Sequence, residues 1–442
     1  MTEMAVSAHT RSAHGRVITD WGSDAMQRRI ARRYAAERNF RWAGLAALSL
    51  AAAFLAILLF TIVRDGWTGF MNTEVRVEVT YDPAVLGLEA GAISPGVDLA
   101  TRRAALRQAD FAGLMLTSSE QLGDFDSVVS EGAWLDLRDA LEADPTLLGR
   151  TVSLWVPVRS SIDLLAKGKF DLEAPELTRG VSDRDVRAWR ELSSRGLLKT
   201  GLNSIFLSTA DSTVPELAGI WGAALGSLLT LIITIAFSFP IGVLAAIWLE
   251  EFAPKNRWTD LIEVSINNLA AVPSIIFGLL GLAVLLNFFG LPRSAPLVGG
   301  LTLALMTLPV IVISARVAIK AVPPSVRDAA LGIGASPIQV VFQHVLPLAL
   351  PGIMTGTIIG VARALGETAP LLLIGMRAFV VDTPHGFASP ATVLPVQVFL
   401  WSDDVARGFV EKTSAAIIVL LVILIAMNSV AIYLRNRFER RW

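Results

Sequence analysis

Apolar and polar positions alternate along the chain in long blocks. Six apolar runs interrupt the polar sequence, at 42–63, 218–247, 261–288, 296–318, 350–377 and 414–434. Each run is long enough for a helix to cross a hydrocarbon core about 30 Å thick. A helix satisfies its own backbone hydrogen bonds in such a core, where water is absent. The pattern therefore predicts an all-α membrane protein with six transmembrane helices.

The segment between the first two runs, 71–213, follows a different pattern. Residues 74–80 alternate polar and apolar side chains, and this period of two predicts a half-buried strand. A second strand is predicted at 152–158, and helices are predicted at 100–116 and 182–194. We therefore expect an α+β insert domain that lies outside the membrane between spans 1 and 2.

Composition and charge support a membrane location. Hydrophobic residues make up 53% of the chain and charged residues only 17%, against about 25% charged in soluble domains. Arginines are concentrated in an N-terminal segment, 1–41, and in a basic tail, 435–442. Cytoplasmic segments carry the excess of Lys and Arg, and six spans return the chain to its starting side. We therefore expect a multi-pass protein of the cell (inner) membrane with both termini in the cytoplasm and the insert on the extracytoplasmic side.

The side-chain inventory narrows the possible chemistry. The chain has no Cys, which excludes disulfides and thiolate chemistry, and its four His residues show no metal-ligand spacing. No GxxxxGK[ST] phosphate loop is present. We therefore expect no metal, no cofactor and no catalytic site in this chain, and nothing indicates a nucleic-acid partner.

Two charged residues stand inside the fifth apolar run. Arg363 and Glu367 are four positions apart, so they share one helical face and can pair. Each charge costs about 2.5–3.5 kcal/mol at the centre of a membrane helix. Pro370 is expected to kink the helix just beyond them. Small residues continue the same face toward the N-terminus, as a stripe that lets another helix approach closely: Gly352, Gly356 and Gly360.

This pair suits the passage of an anion. A guanidinium offsets the loss of water from an oxyanion through paired hydrogen bonds, and a neighbouring carboxylate prevents binding that is too tight for release. The alternative is a structural ion pair that sets the helix register. We favour a substrate pathway lined by Arg363, Glu367 and the adjacent Thr368.

Weaker candidates lie in the second and fourth runs. Thr230 and Thr234 share a face, where hydroxyls can line an anion path or, more commonly, join two helices. Arg316 lies near the cytoplasmic end of its run, where it either reaches the lipid headgroups or attracts the substrate at the inner mouth.

The cytoplasmic loop 323–347 is too polar to span a membrane. A short helix is predicted at Ser325–Leu331 and is broken by the following glycines. Ser336 is expected to cap a second helix with Pro337 at its first position, and Pro347 is expected to end it. Two short helices at a sharp turn form a protrusion suited to a soluble partner, although an ordinary amphipathic connector is the alternative.

The loop resembles the docking motif of importer permeases, Glu-Ala-Ala followed by Gly and Leu-Pro. Asp328-Ala329-Ala330, Gly334 and Leu346-Pro347 stand at that spacing, with Asp in place of Glu. The resemblance implies that Asp328, Ala329, Ala330 and Gly334 contact a separate ATPase subunit. That partner would use the ATP and Mg.

A second resemblance covers Ala362 to Leu372 without a gap. This segment is similar to the fifth-span signature of PstA-type permeases of phosphate importers, Ala-Arg-x-x-Gly-Glu-Thr-Ala-Pro-Leu-Leu. The resemblance extends through 217–434, the expected five-helix permease core. It implies the type I importer fold, inorganic phosphate as cargo, a second homologous permease, an ATP-binding subunit dimer and an extracytoplasmic phosphate-binding protein. The insert 71–213 departs from most such permeases.

Two alternatives remain open from the sequence. The cargo could be another oxyanion such as sulfate or molybdate, or a phosphonate, carried by the same type of permease. More remotely, the chain could be a membrane sensor that binds a ligand with the insert domain, although its cytoplasmic parts are short and carry no output domain.

Overall fold

The structure is a computed structural model that describes residues 21–89, 91–93, 96–377 and 379–438. The chain divides into two compact units between Thr61 and Ile62. From Asp24 onward the first unit belongs to one helix, α1, Asp24–Gly66, whose last turn lies in the second unit. This helix begins well before the predicted span 42–63, because the Arg-rich segment ahead of it contains strong helix formers and no proline. Residues 1–20 of the predicted N-terminal segment and 439–442 of the basic tail lie outside the described residues.

The second unit begins with the insert domain, which contains one antiparallel sheet in the order β2-β1-β3. Its strands are β1 Met71–Thr80, β2 Thr151–Pro157 and β3 Leu198–Leu202. Its helices are α2 Pro83–Leu86, α3 Leu99–Gln108, α4 Phe111–Ser119, α5 Trp134–Ala143, α6 Ser160–Ala166, α7 Glu176–Arg179, α8 Asp183–Ser194 and α9 Ser204–Ser208. The α+β expectation is therefore met in the described residues of the insert.

The central strand β1 shows why the alternating pattern predicted it. Val75, Val77 and Val79 face the buried core, whereas Arg76 and Glu78 face outward. The predicted helix at 100–116 is wrong in one respect, because two helices occupy this segment. The carboxylate of Asp110 accepts a hydrogen bond from the amide of Gly113, and this cap begins α4.

The permease core follows the insert. Its helices are α10 Trp221–Ile247, α11 Arg257–Ala270, α12 Ser274–Leu280, α13 Pro296–Lys320, α14 Pro324–Gly332, α15 Pro337–Gln339, α16 Leu346–Leu365, α17 Ala369–Leu373, α18 Leu394–Ser402 and α19 Gly408–Phe438. Five helices in the described residues are long and apolar enough to cross a membrane, and a bent pair makes a sixth if it is one span.

That bent pair corrects the expectation of one straight helix at 261–288. Helices α11 and α12 meet at an angle of 105°. Pro273 lies in the break, and a proline disfavours the helical conformation of the residue before it. The third apolar run is therefore a broken span or a re-entrant segment.

The fifth run also differs from the expected helix at 350–377. Pro347 does not end the docking-loop helix, because a π-helical turn at Val340–Val345 carries the chain directly into α16. Pro347 therefore lies inside the continuous helix Pro337–Leu365, and the π-helical turn directly before it is where the hydrogen-bond ladder adjusts to the missing N–H. At the other end α16 stops at Leu365, and the short helix α17 begins only after the Gly366–Thr368 break.

Candidate functional site

The Arg363–Glu367 pair lies where α16 ends. Arg363 occupies the last turn of the helix, and a cation is favoured there by the negative end of the helix dipole. Glu367 lies in the break that follows, and its carboxylate Oε1 is 3.4 Å from Nε of Arg363. The two charges therefore pair as their spacing predicts. They do so across a helix terminus rather than on the face of a kinked helix.

The glycine stripe of α16 packs against α13. A Cβ added to Gly352 would lie 2.7 Å from the Cβ of Ala318, and one added to Gly356 would lie 2.1 Å from the Cβ of Ser314. Only the absence of side chains permits this approach of the two helices. The stripe thus forms a tight seam below the charged pair.

Arg363 is not covered by the rest of the chain. Its side chain is 51% exposed, whereas that of Glu367 is 18% exposed. A half-exposed guanidinium in a span cannot face lipid without a cost of about 2.5–3.5 kcal/mol. This surface therefore requires water or a partner protein against it.

The threonine candidates occupy three different environments. Thr368 is half-buried at the start of α17 and its side chain makes no capping hydrogen bond there. Thr230 is buried, and its hydroxyl has no hydrogen-bond partner among the described residues. It lines a cavity of about 10 Å³ together with Ala364 and Leu365, directly behind the end of α16. Thr234 donates to the carbonyls of Thr230 and Gly300, which is the geometry of helix packing.

The docking loop has the two-helix form that its residues predict. Helix α14 ends in a turn where Gly334 adopts a φ of 92°, which is unfavourable for residues with a Cβ. The hydroxyl of Ser336 then accepts from the amide of Gln339, while the Gln339 side chain accepts from the Ser336 amide. This reciprocal capping box begins the second helix with Pro337 at its first position.

The four predicted docking residues face in two directions. Asp328, Ala329 and Gly334 are exposed, whereas Ala330 is buried in one cluster with Val340 and Val341. Ala330 therefore packs between the two short helices, and its contact with an ATPase stays a prediction. Beside the exposed residues lies an uncovered apolar surface of Leu331, Ile333 and Ile338. Contiguous exposed apolar patches of this kind mark protein–protein contacts.

Arg327 fastens this loop to the membrane helices, a role that the sequence did not reveal. Its Nη2 lies 2.7 Å from Oε1 of Glu251, and its Nε lies 3.1 Å from the same oxygen. It also donates to the backbone carbonyls of Val322 and Ile319, at 2.7 Å and 3.0 Å. One guanidinium thus ties α14 to the ends of α10 and α13. The acidic pair Glu250–Glu251 directly follows an apolar run, and it is the sequence feature that could have indicated an ion pair at this end of the helix.

Arg316 lies in a related ion-pair network. Its Nε is 2.5 Å from Glu250, and its Nη2 is 2.7 Å from Glu263. Lys320 reaches Glu250 at 3.4 Å. The Arg316 side chain is only 9% exposed. Its guanidinium is therefore engaged by carboxylates in this conformation, and a role in the substrate pathway stays a prediction.

A buried charge cluster joins the insert to the N-terminal end of α19. Lys167 binds Asp163 within the insert and Glu411 of α19, each at 2.5 Å, with only 2% of its side chain exposed. Thr68 donates to Glu411 at 2.9 Å. Burial raises the pKa of the nearby Glu216 carboxyl. The insert is therefore fixed to the permease core by groups that are hidden from water.

These features define the membrane subunit of an ABC importer, and comparisons with known proteins identify the family. Residues 238–442 match the family described as binding-protein-dependent transport system inner membrane component. Probable ABC transporter permease protein YqgI of Bacillus subtilis is 31% identical over 222 residues, which cover 48% of this chain and 74% of that protein. The chain belongs to this family of importer permeases and has its type I permease fold.

Relatives with a stated cargo are also similar to this chain. Phosphate transport system permease protein PstA 1 of Mycobacterium tuberculosis is 29% identical over 226 residues, which cover 50% of this chain and 72% of that protein. Phosphate transport system permease protein PstC of Haemophilus influenzae is 33% identical, with coverages of 47% and 70%. A chain of the MetNI methionine ABC transporter aligns with a TM-score of 0.39 and 16% identity, over 50% of this chain and 95% of that chain.

The N-terminal half matches a different family. Residues 27–176 match DUF3333, a domain of unknown function. This match covers most of α1 and the insert through β2 and α6. The family that defines the permease core therefore leaves the insert without an assigned role.

Proposed function

We propose that this chain is the permease subunit of an ATP-driven importer that carries inorganic phosphate across the cell membrane. The observation that supports this most directly is the Arg363–Glu367 pair at the end of α16, in which the guanidinium is half-exposed. Arg363 offers planar paired donors to an oxyanion, and Glu367 limits the affinity enough for release. The similarity to permeases named for phosphate transport supports the choice of cargo.

A separate ATP-binding subunit dimer supplies the energy and uses the ATP and Mg. Its contact on this chain is the exposed part of the docking loop, Asp328, Ala329 and Gly334, with the apolar side chains beside them. Arg327 and Arg316 transmit movement of this loop to the spans through their ion pairs. The spans then alternate between inward and outward openings around the Arg363 surface.

A second homologous permease and an extracytoplasmic phosphate-binding protein complete the transporter. The uncovered Arg363 surface supports a partner subunit, because water or protein must lie against that charge. With both termini in the cytoplasm, the insert faces the side from which phosphate arrives. Residues 217–434 then form the translocating core.

Purification and uptake test this proposal together. A pull-down of the full chain from membranes should recover an ATPase, a second permease and a phosphate-binding protein. Uptake of labelled phosphate should resist competition by excess sulfate, molybdate and methylphosphonate. If one of those anions competed as well as unlabelled phosphate does at the same concentration, that anion would be assigned as the cargo. Recovery of the chain without an ATPase would contradict the proposal of an ATP-driven importer.

A further inference from the structure

A groove of about 380 Å³ lies between the insert and the outer end of α19. One wall carries Leu164, Lys169 and Phe170 of the insert, and the other carries Arg407, Val410 and Ser414. The walls combine cations with apolar side chains. Neither the substrate pathway nor the docking loop involves this groove.

The groove lies at the level where the protein leaves the membrane. Helix α1 ends at Gly66 and α19 begins at Gly408, and these two ends are packed together, since a Cβ on Gly66 would lie 2.7 Å from the carbonyl carbon of Ser414. Trp67 follows immediately and is 65% exposed, as tryptophans are at membrane interfaces. The mouth of the groove is therefore at headgroup depth.

Both cations of the groove are available for an anion. Lys169 is exposed, and its charge acts on Asp65 across the groove without a direct ion pair among the described residues. Arg407 donates one N–H to the carbonyl of Arg179, at 3.3 Å. That single contact positions the guanidinium and leaves its other donors unused. Gly180 provides the space, because a Cβ there would lie 2.3 Å from Arg407 Nη1.

The carboxylates that also line the groove are already neutralised. Asp65 pairs with Arg64 at 2.9 Å, and Glu411 pairs with Lys167 at 2.5 Å. Lys167 also binds Asp163. With the adjacent buried Lys412 and Glu216 included, five cations and four carboxylates leave one positive charge in and around the groove. One phosphodiester carries the charge that neutralises it.

The apolar part of the groove continues into the membrane along α19. Val410 is 65% exposed and Ile425 is 64% exposed. At 100° per residue, Val410, Leu421 and Ile425 fall within a sector of about 60°, with Leu421 partly covered. An acyl chain that starts at the groove can therefore follow this side of the helix, beside the point where the end of α1 packs on Ser414.

We propose that this groove binds one membrane phospholipid, with its phosphodiester between Lys169 and Arg407 and its acyl chains along the Val410 face of α19. Such a lipid would join the insert to the core from the membrane side, as the Lys167 cluster does from inside. The charge match favours a lipid phosphodiester. A free phosphate ion would use only the two cations and leave the apolar part of the groove unfilled.

Native mass spectrometry of the detergent-purified full chain tests this inference. One phospholipid should remain bound to the wild type, and its occupancy should fall about 10-fold in the double variant Lys169→Ala/Arg407→Ala. The matched control Arg190→Ala/Lys199→Ala removes two exposed cations of the insert outside the groove, and it should retain the lipid. Because Lys169 is exposed, Lys169→Ala alone should fold normally and show a partial loss.

Two further experiments distinguish a bound phospholipid from a free phosphate ion. Phosphatidylglycerol and phosphatidylethanolamine should both rebind to delipidated protein, whereas a galactosyl diacylglycerol without phosphate should not. Millimolar inorganic phosphate should not displace the lipid. Equal occupancy in the double variant, equal rebinding of the phosphate-free lipid, or displacement by inorganic phosphate would each overturn the proposal. The readout is lipid occupancy, so failure here is independent of the transported cargo.

Discussion

The ion pair between Arg327 and Glu251 should determine how well ATP hydrolysis is coupled to transport. In the substitution Glu251→Gln, the guanidinium keeps its two backbone carbonyls but loses a bidentate carboxylate at 2.7–3.3 Å. Breaking a fully buried pair costs about 3–5 kcal/mol. These side chains are 23% and 12% exposed, so we expect about 2 kcal/mol. That free energy corresponds to about a 30-fold increase in the population of a detached docking loop.

Hydrogen exchange and coupled transport measure this effect in the assembled transporter. Amides of α14 and the following turn should exchange about 30-fold faster in Glu251→Gln, because local opening becomes easier. Fewer phosphate ions should be imported per ATP hydrolysed, while ATP hydrolysis itself continues. The control Lys255→Ala removes an exposed cation near the same membrane face and should change neither quantity.

A double-mutant cycle identifies the pair itself as the cause. Arg327→Lys combined with Glu251→Gln should cost less than the sum of the single variants, because both remove the same contact. If α14 exchanges at the wild-type rate in Glu251→Gln, or if the two effects add, the pair does not hold the loop.

Three other substitutions follow from the geometry. Gly356→Val should destabilise the permease core and reduce its yield, because its Cβ would lie 2.1 Å from the Cβ of Ser314; a normal melting temperature would contradict the close seam. Asp136→Asn should stabilise the insert by about 3 kcal/mol at pH 7, since burial and then the charges of Asp139 and Glu74 raise the pKa of Asp136 to about 6. Because the folded-state pKa of Asp136 lies above the unfolded value, the stability of the wild-type insert should fall as pH rises from about 4 to about 6 and then level off. The variant should lack this pH dependence, and hydrogen exchange of β1 measures the stability of each protein across this pH range. Asp328→Lys should reduce co-purification of the ATPase without changing the amount of permease in the membrane, and unchanged co-purification would remove Asp328 from the docking surface.

Local patterns in the sequence were sufficient for the parts of the fold that depend on neighbouring residues. The alternation at 74–80 predicts β1, and Ser336–Pro337 predicts a capped helix, because each signal acts within a few residues. The spacing of the α16 glycines likewise predicts a close helix approach, although not that α13 is the partner.

Contacts between distant residues were not accessible in this way. Lys167 and Glu411 are 244 positions apart, and Arg327 and Glu251 are 76 apart. Nothing in either local pattern selects the partner. Hydropathy alone also joined α11 to α12 and α16 to α17, because apolar composition continues across both breaks. Pro273 marks the break between α11 and α12. The break between α16 and α17 leaves Arg363 and Glu367 at a helix end.

Phosphate uptake by Arg363→Ala tests the central claim most directly. Labelled phosphate uptake should be abolished, while the variant still assembles with its ATPase and second permease. The control Arg377→Ala removes an exposed arginine fourteen positions further along the chain and should transport normally. Wild-type uptake by an assembled Arg363→Ala transporter would contradict the account.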